Sequence, residues 1–180
     1  MGLVRRQGPT PAKGAGRVTI EPGQEIPSIP VRLIDASGTS ETTSDVVLGR
    51  GRVVFFAVPG AFTPTCHVNH LPGFIANAAK LQAAGATRIV CGAVNDHHVV
   101  KVWAEATEAL GKVDFIADAK GELARAMGLD KTTGDLGLRF ARCAMLIRDG
   151  IVEALFVEDA PGVHASGAPA ILMALEAAGR

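Results

Sequence analysis

Six consecutive apolar residues, Val53 to Val58, run into Pro59-Gly60 and stop there. The run is short and rich in β-branched and aromatic side chains, which reads as a buried strand. The loop Pro59-Gly60-Ala61-Phe62-Thr63-Pro64-Thr65 follows, and then Cys66. From Cys66 onward, Val68, Leu71, Ile75 and Ala78 or Ala79 fall at spacings of three and four, the period of a helix. Strand, tight loop and helix in direct succession commit this part of the chain to an α/β unit. They also put a cysteine in the first turn of a helix, just past the end of a central strand.

That position has a chemical consequence. Unpaired backbone N–H groups and the positive end of the helix dipole favour an anion. A thiol there loses its proton more readily, and the thiolate is the nucleophile. The competing reading is a small buried hydrophobe, a common use of free cysteine. The flanking residues favour the nucleophile. Pro59 fixes the chain direction at the strand end. Thr63, three residues before the sulfur, carries a hydroxyl that can donate to a thiolate and accept from a bound substrate.

The rest of the chain alternates strands with helices. Ile20 to Pro30 is broken by prolines and reads as an extended entry. Val31 to Ile34 is a short strand, and Asp35-Ala36-Ser37-Gly38 a turn. The polar stretch Thr39 to Asp45 and then Val46 to Leu48 complete an N-terminal hairpin and its exit. The helix from Cys66 is expected to reach about Ala84, with a bend near Pro72-Gly73. Arg88 to Val94 is a second buried strand, and Asn95-Asp96 starts a helix carrying Val99, Val100, Trp103, Ala106 and Leu110 on one face. Val113 to Ile116 is a third strand, and Asp118 to Met127 a short helix closed by Gly128. Asp149-Gly150 turns a hairpin between Ala141–Arg148 and Ile151–Glu158. A final helix covers Ala170 to Ala178. The expected fold is one α/β domain over 18–180 around a mixed sheet, preceded by a tail over 1–17.

Charge and composition narrow the function. Eighteen basic and eighteen acidic residues balance, so no overall field draws nucleic acid or an anionic membrane. No apolar run approaches the roughly 18–20 residues of a membrane span. Tyrosine is absent and tryptophan occurs once, which argues against a stacking surface for bases. Three cysteines, Cys66, Cys91 and Cys143, are too few and too odd for a secreted disulfide framework. A cytoplasmic location is the expectation. Cys66 and His70 could share a helix face as metal ligands, but no paired cysteine completes a set, and no metal or other cofactor is expected. His67 and His70 then read as surface groups or as supports near the pocket.

The string Pro59-x-x-x-Thr63-x-x-Cys66 matches the active-site motif of the peroxiredoxins. The longer PGAFTPTC followed by HLPGF closely resembles their type II branch, the fifth subfamily. The segment IVCGAVNDHHVVKVWAE is similar to that branch's next strand and helix, and the stretch from Gly134 to Glu158 to its later arginine-bearing hairpin, with Asp135 as a departure. The resemblance covers roughly Ile20 to the C-terminus. It implies a thioredoxin-like fold, a mixed sheet flanked by helices, and a thiol peroxidase acting on hydrogen peroxide and organic hydroperoxides. Cys66 would be the peroxidatic thiol. Arg142 would lie beside it, favouring the thiolate and orienting the peroxide, with Arg139 as the competitor for that place. Pro59 would shield the sulfur. Backbone N–H groups of Thr65 and Cys66 would bind the peroxide oxygen, and Phe62 with Leu71 would form an apolar rim or serve the core.

If Arg142 faces the sulfur, strand alternation turns Cys143 away, into the core. Cys91, inside a buried strand, reads as core as well. Some members of the branch carry a resolving cysteine before the last helix. Here that segment reads Gly162-Val163-His164-Ala165-Ser166-Gly167, so a one-cysteine cycle is expected, with glutathione/glutaredoxin or thioredoxin as reductant. The family also commonly forms dimers through the active-site edge. The rival function is a non-enzymatic redox sensor or holdase that uses Cys66 oxidation.

Overall fold

The computed structural model describes residues 18–179; the expected tail over 1–17 lies outside the described residues. Among the described residues nine strands and five α-helices follow in chain order. Strands β1 (Pro30–Asp35) and β2 (Gly38–Thr43) form the N-terminal hairpin. Asp35 turns it by accepting from the backbone N–H and the hydroxyl of Ser37. The residues expected to leave the hairpin as Val46 to Leu48 instead form a short helix, α1 (Ser44–Leu48), whose Val47 and Leu48 are buried. Strand β3 (Arg52–Val58) is buried along its whole length. Helix α2 (Leu71–Ala83), β4 (Arg88–Ala93), α3 (His97–Ala106), β5 (Asp114–Ala117) and α4 (Glu122–Ala126) come next. Strands β6 (Asp130–Thr133) and β7 (Gly137–Phe140) make a separate small hairpin that the sequence reading did not contain. Strands β8 (Cys143–Arg148) and β9 (Ile151–Val157) and helix α5 (Ala168–Ala178) complete the chain.

The main sheet has the order β2-β1-β5-β4-β3-β8-β9. Strands β3, β4 and β5 are parallel, joined by crossovers through α2 and α3, while β1 and β8 are antiparallel additions on either side. Alternation along β3 divides the core. Val54, Phe56 and Val58 face one layer with α2, α3 and α5, and Val53, Phe55 and Ala57 face the other with α4. Each of these buried valine and phenylalanine side chains contributes roughly 1.5–3 kcal/mol. This is the expected mixed α/β, thioredoxin-like fold.

The helix that begins near Cys66 is not uniform. Its first part, Cys66–His70, is a π-turn in which the Leu71 N–H donates to the Cys66 carbonyl. Pro72 supplies the reason: it has no N–H for the carbonyl four residues earlier, so a regular ladder cannot form there. The irregularity therefore falls one turn before Pro72-Gly73, and α2 runs without interruption from Leu71 to Ala83. Such turns recur at functional sites.

Candidate active site

The site lies beyond the C-terminal ends of the parallel strands. Ala57 of β3 pairs with Cys143 of β8, so the residue just before β8, Arg142, stands beside the end of β3. Cys143 points into the α4 layer, with Val53 and Ala57. Ala144 points into the layer that holds Cys66. Alternation then turns Arg142 toward Cys66. Its Nη2 donates to the Cys66 sulfur at 3.3 Å. The sheet thus joins two residues 76 positions apart in sequence. Cys66 is fully buried, whereas Arg142 is half-buried.

Arg139, the competitor, is used elsewhere. Its Nε donates to the Leu136 carbonyl at 2.8 Å and its Nη1 to the Val94 carbonyl at 2.9 Å, which ties the β6–β7 hairpin to the end of β4.

The loop between β3 and Cys66 is held by its own residues and by Asn95. The Thr63 hydroxyl donates to the Gly60 carbonyl at 2.8 Å. Its proton is therefore committed, and of the two roles anticipated for Thr63 only acceptance remains. The Thr63 carbonyl accepts from the His67 N–H at 2.9 Å, closing the turn over Thr65 and Cys66. The Ala61 N–H donates to Asn95 Oδ1 at 3.0 Å. A β-carbon at Gly60 would come within 3.1 Å of the Thr63 methyl, so the loop packs tightly on itself. Pro59 is half-buried at the strand end, and Thr65 half-buried just ahead of the sulfur.

Phe62 adopts a left-handed backbone with φ 60° and stays 47% exposed. Its ring stacks on His67 at 5.7 Å. His67 Nδ1 in turn accepts from Trp103 Nε1 at 3.0 Å. A non-glycine residue held there costs of order 1–3 kcal/mol. Leu71, considered for the rim, is instead fully buried in the core. A surface groove of about 680 Å³ runs between α2 and α3, lined by His67, Pro72, Ile75, Thr107 and Lys112 among others; Cys66 does not line it.

Of the two readings left open for His70, the structure takes the support near the pocket and excludes the surface group. His70 is 1% exposed, between the rings of Phe56 at 5.2 Å and Phe74 at 5.6 Å. Arg142 Nη1 lies 3.1 Å from His70 Nδ1, and the Ser166 carbonyl lies 2.9 Å from Nε2. Burial, aided by the Arg142 charge, holds the imidazole down at about 4, so it is neutral at ordinary pH. Both ring nitrogens are engaged. Among the described residues no cluster of three or more His, Cys, Asp or Glu is placed to hold a metal. Asn95 and the Ser166 loop carried no local signal, since each acts across a long sequence gap. His70 had one, its position four residues after Cys66 on the same face.

All three cysteines are free and buried. Burial pushes the Cys143 thiol up to about 12. Burial also raises the Cys91 thiol, and the neighbouring charge of Cys66 adds to the rise.

A buried cysteine at the start of a helix, with a guanidinium donating to its sulfur, on this sheet is a thioredoxin-like arrangement. The family model described as Redoxin matches residues 21–172. The chain belongs to that family and, within it, to the peroxiredoxins, and it is a thiol peroxidase. It is 41% identical to a chloroplastic peroxiredoxin-2E-2 of Oryza sativa subsp. japonica, over 87% of this chain and 73% of that one. It is 38% identical to peroxiredoxin-2B of Arabidopsis thaliana, over 85% of this chain and 96% of that one. These names are consistent with the type II branch. Among solved structures, reduced Prx3 in complex with H2O2 from Vibrio vulnificus matches with a TM-score of 0.83 at 38% identity, covering 88% of this chain and 100% of that one.

Proposed function

We propose that Cys66 is the peroxidatic thiol of a one-cysteine cycle. The observation that carries the reading is the 3.3 Å donation from Arg142 Nη2 to the Cys66 sulfur. A fixed cation there favours the charged form of the sulfur, and the same planar fork can hold a peroxide oxygen in line with it. The Cys66 thiolate attacks one oxygen of ROOH, the O–O bond breaks, and the leaving alkoxide or hydroxide takes a proton to depart as alcohol or water. Cysteine sulfenic acid remains. The N–H groups of Thr65 and Cys66 and the acceptor face of Thr63 help bind the peroxide, Pro59 screens the sulfur, and Phe62 lines the approach. One external thiol condenses with the sulfenic acid, releasing water and giving a mixed disulfide. A second thiol displaces Cys66, leaving the external disulfide.

Glutathione with glutaredoxin, or thioredoxin, would supply those thiols. Three free, buried cysteines suit a reducing compartment such as the cytoplasm. The exposed side chains of Phe62 and Val68, on the segment that carries Cys66, support pairing with a second copy through this edge.

A second reading assigns Cys91 as an internal resolving thiol. It is favoured because Cys91 shares the buried cluster of Cys66. The raised Cys91 thiol and its place on a central strand, paired with Phe56 and Phe115, count against it. Peroxide consumption by wild type, Cys66→Ser, Cys91→Ser and Cys143→Ser, each with the glutathione/glutaredoxin and the thioredoxin systems, separates the readings. Loss in Cys66→Ser alone supports the one-cysteine cycle and identifies the reductant. Full activity in Cys66→Ser would sink it, and loss of thioredoxin-linked turnover in Cys91→Ser would establish the internal disulfide. Oxidation that happens once without thiol-driven recycling would mark a sensor.

A further inference from the structure

The geometry points to His70 as a positioning residue for the peroxide step: it holds the Arg142 guanidinium against Cys66 and takes its own orientation from the loop ahead of α5. The inference rests on Cys66 being the reacting sulfur.

Arginine has only donors, so the 3.1 Å contact from Nη1 makes His70 Nδ1 an acceptor. The proton of a neutral imidazole must then sit on Nε2, where the Ser166 carbonyl accepts it at 2.9 Å. One tautomer satisfies both contacts, and burial keeps the ring neutral. The Ser166 carbonyl is itself fixed. Glu158 Oε1 accepts from the His164 N–H at 2.7 Å, from the Ser166 N–H at 2.8 Å and from the Ser166 hydroxyl at 2.8 Å. The Glu158 N–H donates to the Arg142 carbonyl at 3.0 Å. A closed circuit results: Arg142 backbone, Glu158, Ser166, His70, and back to the Arg142 side chain.

The circuit answers a physical need. A long, half-buried arginine retains considerable rotamer freedom, and its head could swing into water. Nη1 is anchored to His70, which leaves Nη2 aimed at the sulfur. The loop before the last helix, which carries no cysteine, thereby acts on the chemistry through a histidine.

The test measures the rate at which reduced protein consumes H2O2 in a single turnover, and separately the rate at which excess thiol reduces the oxidised form. His70→Leu keeps an apolar group between Phe56 and Phe74 but makes neither hydrogen bond. Its peroxide rate should fall about 10–100-fold, the range that loss of an outer-shell orienting partner costs at metal sites, with the thiol step unchanged. His70→Gln offers an amide oxygen to Arg142 and an amide N–H to Ser166, and should recover to within about threefold of wild type. Glu158→Ala frees the loop without touching any group at the sulfur, and should slow the peroxide step about tenfold. A wild-type peroxide rate in His70→Leu, or equal losses in the Leu and Gln variants, would overturn the proposal. If the Leu variant does not fold, a wild-type rate in Glu158→Ala overturns it alone. Turnover retained in Cys66→Ser would instead strike the underlying site assignment.

Discussion

Acidification from pH 7 to pH 5 should destabilise this protein through His70. An unfolded imidazole titrates near 6.5, whereas burial holds the folded one at about 4. Between those values the unfolded chain binds a proton that the folded chain refuses. Stability from this group therefore rises with pH, is fully present above about 6.5, and is lost as pH falls toward 4. The gap is worth about 3 kcal/mol in full, of which about 2 kcal/mol is lost by pH 5. Glu158, held below the usual carboxylate range by Ser166 and His164, works in the same direction but at lower pH. Asp118, raised by burial, works in the opposite direction. Urea unfolding at pH 7 and pH 5, for wild type and His70→Gln, isolates the imidazole. Wild type should lose about 2 kcal/mol more than the variant, or roughly 4–8 °C in Tm. Equal losses in the two proteins would show that His70 is not held neutral by burial, and the tautomer argument would fall with it.

Two further outcomes follow from packing around the site. Asn95→Ala strands the Ala61 N–H and should cost about 1–3 kcal/mol while loosening the loop ahead of Cys66; urea titration and single-turnover peroxide consumption should both register it, and an unchanged peroxide rate would mean the loop holds itself. Phe74 stacks on Phe56 at 3.9 Å and is fully buried, so Phe74→Ala should cost about 3–5 kcal/mol by chemical denaturation; a loss under 1 kcal/mol would show that the layer collapses around the gap.

Much of this molecule was legible in one dimension because its signals are local. Six apolar residues ending at Pro59-Gly60 need no partner to read as a buried strand, and they form a fully buried interior strand of the sheet. Asp149-Gly150 marks its hairpin through conformations few residues tolerate, with Asp149 at φ 49° and Gly150 at φ 82°. The alternation that set Cys143 opposite Arg142 likewise depends only on the pleat. Where side chains are ambiguous, tertiary context decided: Val46 to Leu48 joined a helix because α1 can bury Val47 and Leu48, and β6–β7 was invisible because its strands have only four residues each and β6 is polar.

The sequence by itself determined the strand–loop–helix unit, the cysteine at its hinge and the family to which the chain belongs. All of these rest on neighbours in the chain. Only the tertiary structure decided between Arg142 and Arg139, committed the Thr63 proton to Gly60, and enclosed His70 between Arg142 and Ser166. Those contacts join residues from different strands and loops, and hydrogen bonds have directions that no spacing along the chain encodes.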